Sequence, residues 1–223
     1  MKKKIELTTD LREANRLEAE AVRTLLAEHH VLAVNLIGSP GCGKTRTLET
    51  TIPMLAGMRA AVIEGDIATR RDADRIAATG VTCIQINTGG SCHLIAKQVG
   101  EALGEMDVAA MDVLFIENVG NLVCPSTTDL GEDHKVAVLS VPEGDDKVAK
   151  YPRLFREASC VLLNKVDLLG VVKFDVGRVR EDLAAIKSDL TMFEVSASTG
   201  QGMSAWVEWL KKSRQTKLGR KKS

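Results

Sequence analysis

Apolar residues recur along this chain in two rhythms. Between Thr9 and His29 they fall at Leu11, Ala14, Leu17, Ala21 and Leu25, a spacing of three or four that predicts an amphipathic helix packed through that stripe onto the body of a domain. From residue 31 onward, short β-rich runs alternate with longer helical stretches. The runs are VLAVNLIG (31–38), AAVIEGD (60–66), VTCIQINT (81–88), VLFIENV (113–119), KVAVLSV (135–141), CVLLNKVD (160–167) and TMFEVSA (191–197). Several are apolar almost throughout, as strands covered on both faces must be, and the segments between them are long enough for crossover helices. The alternation predicts an α/β fold with a doubly wound, mostly parallel seven-stranded sheet flanked by helices. No repeat, low-complexity insert or linker divides it. We therefore expect a helical lead-in at 1–30, one α/β domain at 31–210 and a basic tail at 211–223.

Composition narrows the function classes. The 223 residues suffice for one substantial core, and 44% hydrophobic with 27% charged residues is ordinary for a globular protein. Thirty basic residues balance thirty acidic ones, which gives no electrostatic case for a nucleic-acid partner. Aromatics make up 3%, too few for base-stacking surfaces. The start, MKKKIELTTDLREANR, has no apolar core of a signal peptide, and no run approaches about 18 apolar residues, so a cytoplasmic protein without a membrane span is expected. Five scattered cysteines then read as reduced thiols or metal ligands rather than a disulfide framework. The tail KKSRQTKLGRKKS carries seven basic and no acidic residues and is expected to fray as a solvated end.

Candidate chemistry begins with GSPGCGKT, Gly38 to Thr45, which fits the phosphate-loop pattern G-x-x-x-x-G-K-[ST] and lies between a predicted strand and a predicted helix. Gly38, Gly41 and Gly43 permit the tight turn, and the backbone from Ser39 and Pro40 through Arg46 would turn N–H groups toward phosphate oxygens. Lys44 would bridge the β- and γ-phosphates, and the Thr45 hydroxyl would ligate Mg²⁺. Cys42, inside the loop, reads as a tolerated small side chain.

The base is specified further on. Asn164, Lys165 and Asp167 form NKxD at the end of an apolar run. Asp167 can accept from both N1–H and the exocyclic amine of guanine, whereas adenine presents an acceptor at N1. GTP and GDP are therefore the expected nucleotides. Asn164 would steady the loop, the stem of Lys165 would cover the base, and a backbone N–H at Ser196-Ala197 would meet guanine O6.

Two acidic segments end strands on the same side of the sheet. FIENVGN (115–121) resembles the D-x-x-G element of GTPases with Glu117 in place of Asp, so Glu117 would hold Mg²⁺ and the Gly120 amide would sense the γ-phosphate. In IEGDIATRRDADR (63–75), Asp66 and Asp72 compete for the second metal-holding role, and Asp72 is equally suited to capping a helix that begins near Arg71. Asn121 occupies the position where many small GTPases carry a water-orienting Gln. Its shorter amide predicts slow intrinsic hydrolysis.

Cys92 and His93, in NTGGSCHLIAK, acquire a partner in Cys124 of NLVCPS. Two thiolates and an imidazole suit Zn²⁺ or Ni²⁺, although spacing alone leaves the structural reading of these residues equally open. Cys83 and Cys160 read as buried structural thiols. Cys124 lies only four residues after Gly120, so a loop reorganised by the γ-phosphate must also move that sulfur. Three ligands from one chain leave an ion incomplete. A second subunit or a client protein would supply the remainder.

Taken together, GSPGCGKT, VIEGDIATRRDADRI, NTGGSCHL, LFIENVGNLVCP, DLGEDHKVAVLSVPEGDDK and LLNKVDLL closely resemble the HypB family, GTPases that help deliver nickel to [NiFe]-hydrogenase. The resemblance covers roughly residues 10–210. It implies the SIMIBI class of P-loop NTPases, a homodimer formed with GTP, and a metal site at the subunit interface built from Cys92, His93 and Cys124. It also implies a route through a HypA-type metallochaperone to the hydrogenase large subunit. Two departures stand out. The N-terminal stretch has neither the Cys-rich nor the His-rich element of many members, and Leu94-Ile95-Ala96-Lys97 replaces a usual Leu-Asp-Ala-His, which removes ligands for a second interface ion. The related urease-maturation GTPases typically carry Cys-Pro-His, which this chain lacks. A GTP-gated module with structural Cys and His residues is the reading from a different class.

Overall fold

The computed structural model describes residues 7–66 and 71–219, with the side chains of residues 7–10 and 71 left undescribed. Residues 1–6, 67–70 within IEGDIATRRDADR, and the end of the basic tail lie outside the described residues. Among the described residues there are seven strands: β1 Leu32–Gly38, β2 Ala60–Asp66, β3 Thr82–Asn87, β4 Val113–Glu117, β5 His134–Ser140, β6 Cys160–Asn164 and β7 Thr191–Glu194. They form one sheet in the order β3-β2-β4-β1-β5-β6-β7, and every pairing is parallel. The helices are α1 Leu7–Glu28, α2 Lys44–Met54, α3 Arg71–Ala77, α4 Ala96–Gly104, α5 Cys124–Thr127, α6 Lys147–Lys150, α7 Pro152–Glu157, α8 Val176–Ile186 and α9 Met203–Gly219. Each predicted strand run overlaps one of the observed strands, β5 beginning one residue before its run and the other six lying inside theirs.

Strand periodicity sorts the core into layers. Leu32, Val34 and Leu36 of β1 face a cluster with Leu48 and Ile52 of α2 and Trp206 and Leu210 of α9. Ala33 faces the opposite side, where Val22 and Leu26 of α1 and Val99 and Leu103 of α4 close the core. Ile37 continues that side toward Leu154, Phe155 and Leu183 of α7 and α8. Between Ala33 and Ile37, where the pattern asks for another hydrophobe, stands the fully buried Asn35. Among the described residues no helix is long and apolar enough to cross a membrane.

Two expectations at the chain ends are corrected. Helix α1 forms, but Leu11 and Leu17 of the predicted stripe are 68% and 58% exposed, and Ala14 and Ala21 are exposed as well. The face it buries runs through Asn15, Ala19, Val22 and Leu26. The polar Asn15 disguised that face in the sequence. Its amide is used rather than solvated: Nδ2 donates to the Asp129 carbonyl and Oδ1 accepts from the Ala96 amide at the start of α4. The basic run from residue 211 is likewise no frayed end through Gly219, because it continues α9. Arg214 donates to the His30 carbonyl and to Asp112, and Lys217 to the Val31 carbonyl and Asp133, so its charges staple the helix across the start of β1.

Candidate functional site

The C-terminal ends of the central strands open onto one crevice, as expected where strand order reverses in a doubly wound sheet. Leaving β1, the loop from Gly38 enters α2 through Gly41 and Gly43, whose φ values of 75° and 98° belong to the left-handed region that glycine alone enters cheaply. Close packing fixes the same loop. A Cβ on Gly43 would lie 2.4 Å from Asn164 Nδ2, and one on Gly38 would lie 2.6 Å from the sulfur of the fully buried Cys42. Burial raises the Cys42 thiol to about 11, so it stays neutral and acts as filler. Lys44 is buried and folds its ammonium onto the carbonyls of Gly38 and Ser39 at 3.3 and 3.4 Å. A phosphate would compete for that cation.

Above the loop is a cavity of about 480 Å³ whose lining includes Lys44, Thr45, Glu64, Asp66, Asp72 and Glu117. Thr45 Oγ1 donates to Glu117 Oε1 at 2.8 Å. Glu64 lies directly across the β2–β4 pairing from Glu117, and both are almost fully buried. The Oε2 atoms of both acids have no hydrogen-bond partner. Burial pushes the Glu64 carboxyl up to about 8, reinforced by the charge of Glu117, and burial pushes Glu117 up to about 7. Two orphaned carboxylate oxygens beside a threonine hydroxyl are a donor set that fits a hard divalent cation such as Mg²⁺. Asp72, on α3, pairs with Arg75 at 2.9 Å, and Arg75 in turn grips Glu49 of α2 at 2.8 Å. Asp66, at the tip of β2, accepts the Thr88 amide on its backbone carbonyl.

The loop after β6, expected to meet the base, is held by Asn164, which is buried at the end of that strand. Its Nδ2 donates to the Cys42 carbonyl at 3.0 Å, and its Oδ1 accepts from the amides of Lys165 and Ala197. Lys165, with φ of 62°, reaches back to the Gly41 carbonyl at 2.6 Å. Asp167 is exposed, on the short turn that follows. The expected O6 donors are committed elsewhere: the Ala197 amide serves Asn164 and the Ser196 amide serves the Gln201 carbonyl.

Arg46, Pro40 and Gly120 close the crevice, and a Cβ on Gly120 would lie 2.8 Å from Pro40 Cγ. Beyond Gly120 the chain leaves the lining of the cavity. The Asn121 amide, expected at the water-orienting position, instead donates to the Cys92 carbonyl at 3.4 Å and caps Val123 at 2.9 Å. It belongs to the second cluster. There the ligand atoms of Cys92, His93 and Cys124 all lie within 4.8 Å of one another. Cys92 Sγ and His93 Nδ1 are 3.4 Å apart. Partial burial lowers the His93 pKa, which favours the neutral imidazole that metal binding requires. The neighbouring Cys92 thiol, with desolvation, raises that of Cys124. Two sulfurs and one imidazole at this separation fit a soft or borderline ion with coordination positions left over. Lys97, 65% exposed, points to Glu101 at 3.9 Å. Cys160 is a buried thiol as expected, whereas Cys83 is only half-buried.

Glu64, Asn118 and Asn35 were not singled out in the sequence, yet each is a polar interruption in an otherwise apolar strand run. That interruption was the available signal.

Comparison with known proteins gives the same picture. Residues 32–194 match the model of the CobW/HypB/UreG nucleotide-binding domain family. The hydrogenase maturation factor HypB of Azotobacter vinelandii is 51% identical over 189 residues, covering 84% of this chain and 62% of that protein. HypB of Escherichia coli K12 is 46% identical over 211 residues, covering 94% of this chain and 73% of that protein. The chain thus spans about two thirds of the length of these relatives. Among solved structures, HypB from Helicobacter pylori in complex with nickel superposes with a TM-score of 0.88 at 36% identity, covering 91% of this chain and 96% of that one. With a family model matched across nearly the whole sheet and relatives of this identity, the chain belongs to the HypB family of P-loop nucleotide-binding proteins.

Proposed function

We propose that this chain is a slow, Mg²⁺-dependent GTPase, converting GTP to GDP and phosphate, that uses its nucleotide state to hold and release a nickel ion for hydrogenase maturation in the cytoplasm. The observation that carries this reading is the placement of Cys92, His93 and Cys124 as one cluster, with Cys124 four residues beyond a glycine packed on the phosphate loop. A homodimer formed with GTP would complete the coordination of an ion that one chain holds by three ligands. Nickel is the cargo, and zinc is the competitor that the same donors accept. A HypA-type metallochaperone and the hydrogenase large subunit are the partners this role requires.

On the nucleotide, Asp167 would select guanine and Asn164 would hold the loop that presents it. Thr45 and Glu117 would hold Mg²⁺, with Asp66 or Asp72 behind them, and Mg²⁺ would neutralise charge on the phosphates. Lys44, released from the loop carbonyls, would bridge the β- and γ-phosphates. The Gly120 amide would report the terminal phosphate. Because Asn121 is engaged with the Cys92 loop, it leaves no water-orienting amide at that position, which supports a slow intrinsic rate.

Equilibrium Ni²⁺ titration of the purified protein, with GDP and with a non-hydrolysable GTP analogue, tests the proposal. We expect different affinities in the two states and their loss in Cys124→Ala. Equal affinities in both states would leave a GTP-binding module with structural thiols.

A further inference from the structure

Asn118 sits between the metal-holding Glu117 and Val119, two residues before Gly120, and is buried. Its backbone amide extends the sheet by donating to the Leu36 carbonyl at 3.1 Å. Its side chain points inward and has every polar atom in use. Oδ1 accepts from the Leu94 amide at 3.2 Å and from the Val119 amide at 3.0 Å, while Nδ2 donates to Asn35 Oδ1 at 3.2 Å. Leu94 follows His93 directly. One arm from Asn118 therefore ends at the Cys92-His93 segment.

The other arm crosses the sheet interior. Asn35 Nδ2 donates to Glu132 Oε1 at 3.0 Å, and Glu132 pairs with Lys135 at 3.8 Å. Lys135 Nζ then donates to the Ser126 carbonyl at 3.1 Å, within the short helix that begins at Cys124. Asn35, Asn118 and Glu132 are all buried in a layer whose other members are hydrophobic. An apolar side chain at residue 35 would suit that layer as Ala33 and Ile37 do. The polar chain has two ends, and each lies within two residues of a different metal-ligating residue.

We propose that Asn118 is a positioning residue that couples the phosphate site to the metal site, acting through this buried relay on both ligand-bearing segments at once. The proposal rests on the nucleotide-gated reading above. When nucleotide and Mg²⁺ draw Glu117 and Gly120, the peptide carrying Asn118 shifts. A buried amide cannot drop its partners without leaving them unsatisfied, so the Leu94 amide and Asn35 follow it. The Cys92-His93 pair and Cys124 are then displaced together, which changes the geometry of the ion more than movement of either segment alone.

The test uses Asn35, which touches neither nucleotide nor metal ligands. Ni²⁺ dissociation constants are measured by competition with a chromophoric chelator for the full chain, with Mg²⁺-GDP and with a Mg²⁺-bound non-hydrolysable GTP analogue. Couplings of this kind span about 5- to 150-fold, and in Asn35→Leu we expect the ratio of the two constants to fall below about a third of the wild-type ratio while nucleotide affinity is unchanged. Glu132→Gln/Lys135→Met, which keeps shape and removes the ion pair, should lower the ratio as well and decides the matter if Asn35→Leu does not fold. A merely structural role would lower the melting temperature and leave the ratio alone. Wild-type gating with undiminished ratios in the folded variants overturns the relay and spares the gating reading. No nucleotide dependence in the wild type overturns both.

Discussion

Thr45, the first hydroxyl of the helix that follows the phosphate loop, donates to Glu117 at the tip of the neighbouring strand at 2.8 Å. The bond ties the first turn of α2 to the end of β4. It also leaves the second Glu117 oxygen buried without a partner, which is the arrangement a divalent cation would complete. Glu117→Gln removes one charge while keeping the hydrogen-bond acceptor. GTP turnover at saturating Mg²⁺ should fall by about 10²- to 10³-fold, read by phosphate release, and Thr45→Ser should retain most of it. Turnover of Glu117→Gln within a fewfold of wild type would remove this carboxylate from the metal site.

The guanine reading rests on Asp167. Replacing it by Asn exchanges an acceptor for a donor at the base edge, so Asp167→Asn should lose GTP affinity and gain affinity for xanthosine triphosphate, with each change worth about 1–3 kcal/mol. Fluorescent-nucleotide competition would read both. Undiminished GTP binding contradicts the assignment.

Glu64 and Glu117 make a pH prediction for the protein without nucleotide or Mg²⁺. Burial raises both above the ordinary 4.5, Glu64 to about 8 and Glu117 to about 7, so the folded state keeps protons that the unfolded chain loses. Their effect on stability is therefore least unfavourable near pH 4.5 and worsens as pH rises toward 8. Glu64→Gln should raise the melting temperature at pH 8 by roughly 5 °C and change it little at pH 5. A pH-independent difference between variant and wild type would refute this.

Asp112 works in the opposite sense. The Arg59 guanidinium, then the Arg59 amide and Arg214, hold its carboxyl far below the ordinary 3.8, against desolvation. That stabilisation is complete above about pH 4 and declines as pH falls further. Asp112→Asn should cost on the order of 2 kcal/mol at pH 7 by urea unfolding, with the penalty shrinking below pH 4. A constant penalty from pH 7 to pH 3 would show that packing, not charge, is lost.

The central strands were legible because they are apolar runs buried on both faces, and six of the seven fall within the expected segments, β5 starting one residue early at His134. The phosphate loop was legible because glycine spacing and a following Lys-Thr leave few other uses. Side-chain direction was less so. The buried face of α1 was missed because Asn15 sits in it, and only its partners at residues 96 and 129 reveal why a polar group belongs there. The amides of Ser196 and Ala197 were assigned to a ligand by position, whereas local geometry spends them inside the protein. Spacing brought Cys92 and His93 to Cys124 only as one of two readings. Convergence within 4.8 Å depends on the turn after Gly120, which no periodicity encodes.

That turn owes its form to the absence of a single carbon. At Gly120 the backbone passes Pro40 so closely that one methyl group would collide with ring and main chain at 2.8–3.0 Å. The two loops mesh like gear teeth cut without clearance. On the proposed gating, a displacement on the phosphate side would meet this contact before reaching the sulfur side. Gly120→Ala would therefore force one loop away from the other and open the seam between them.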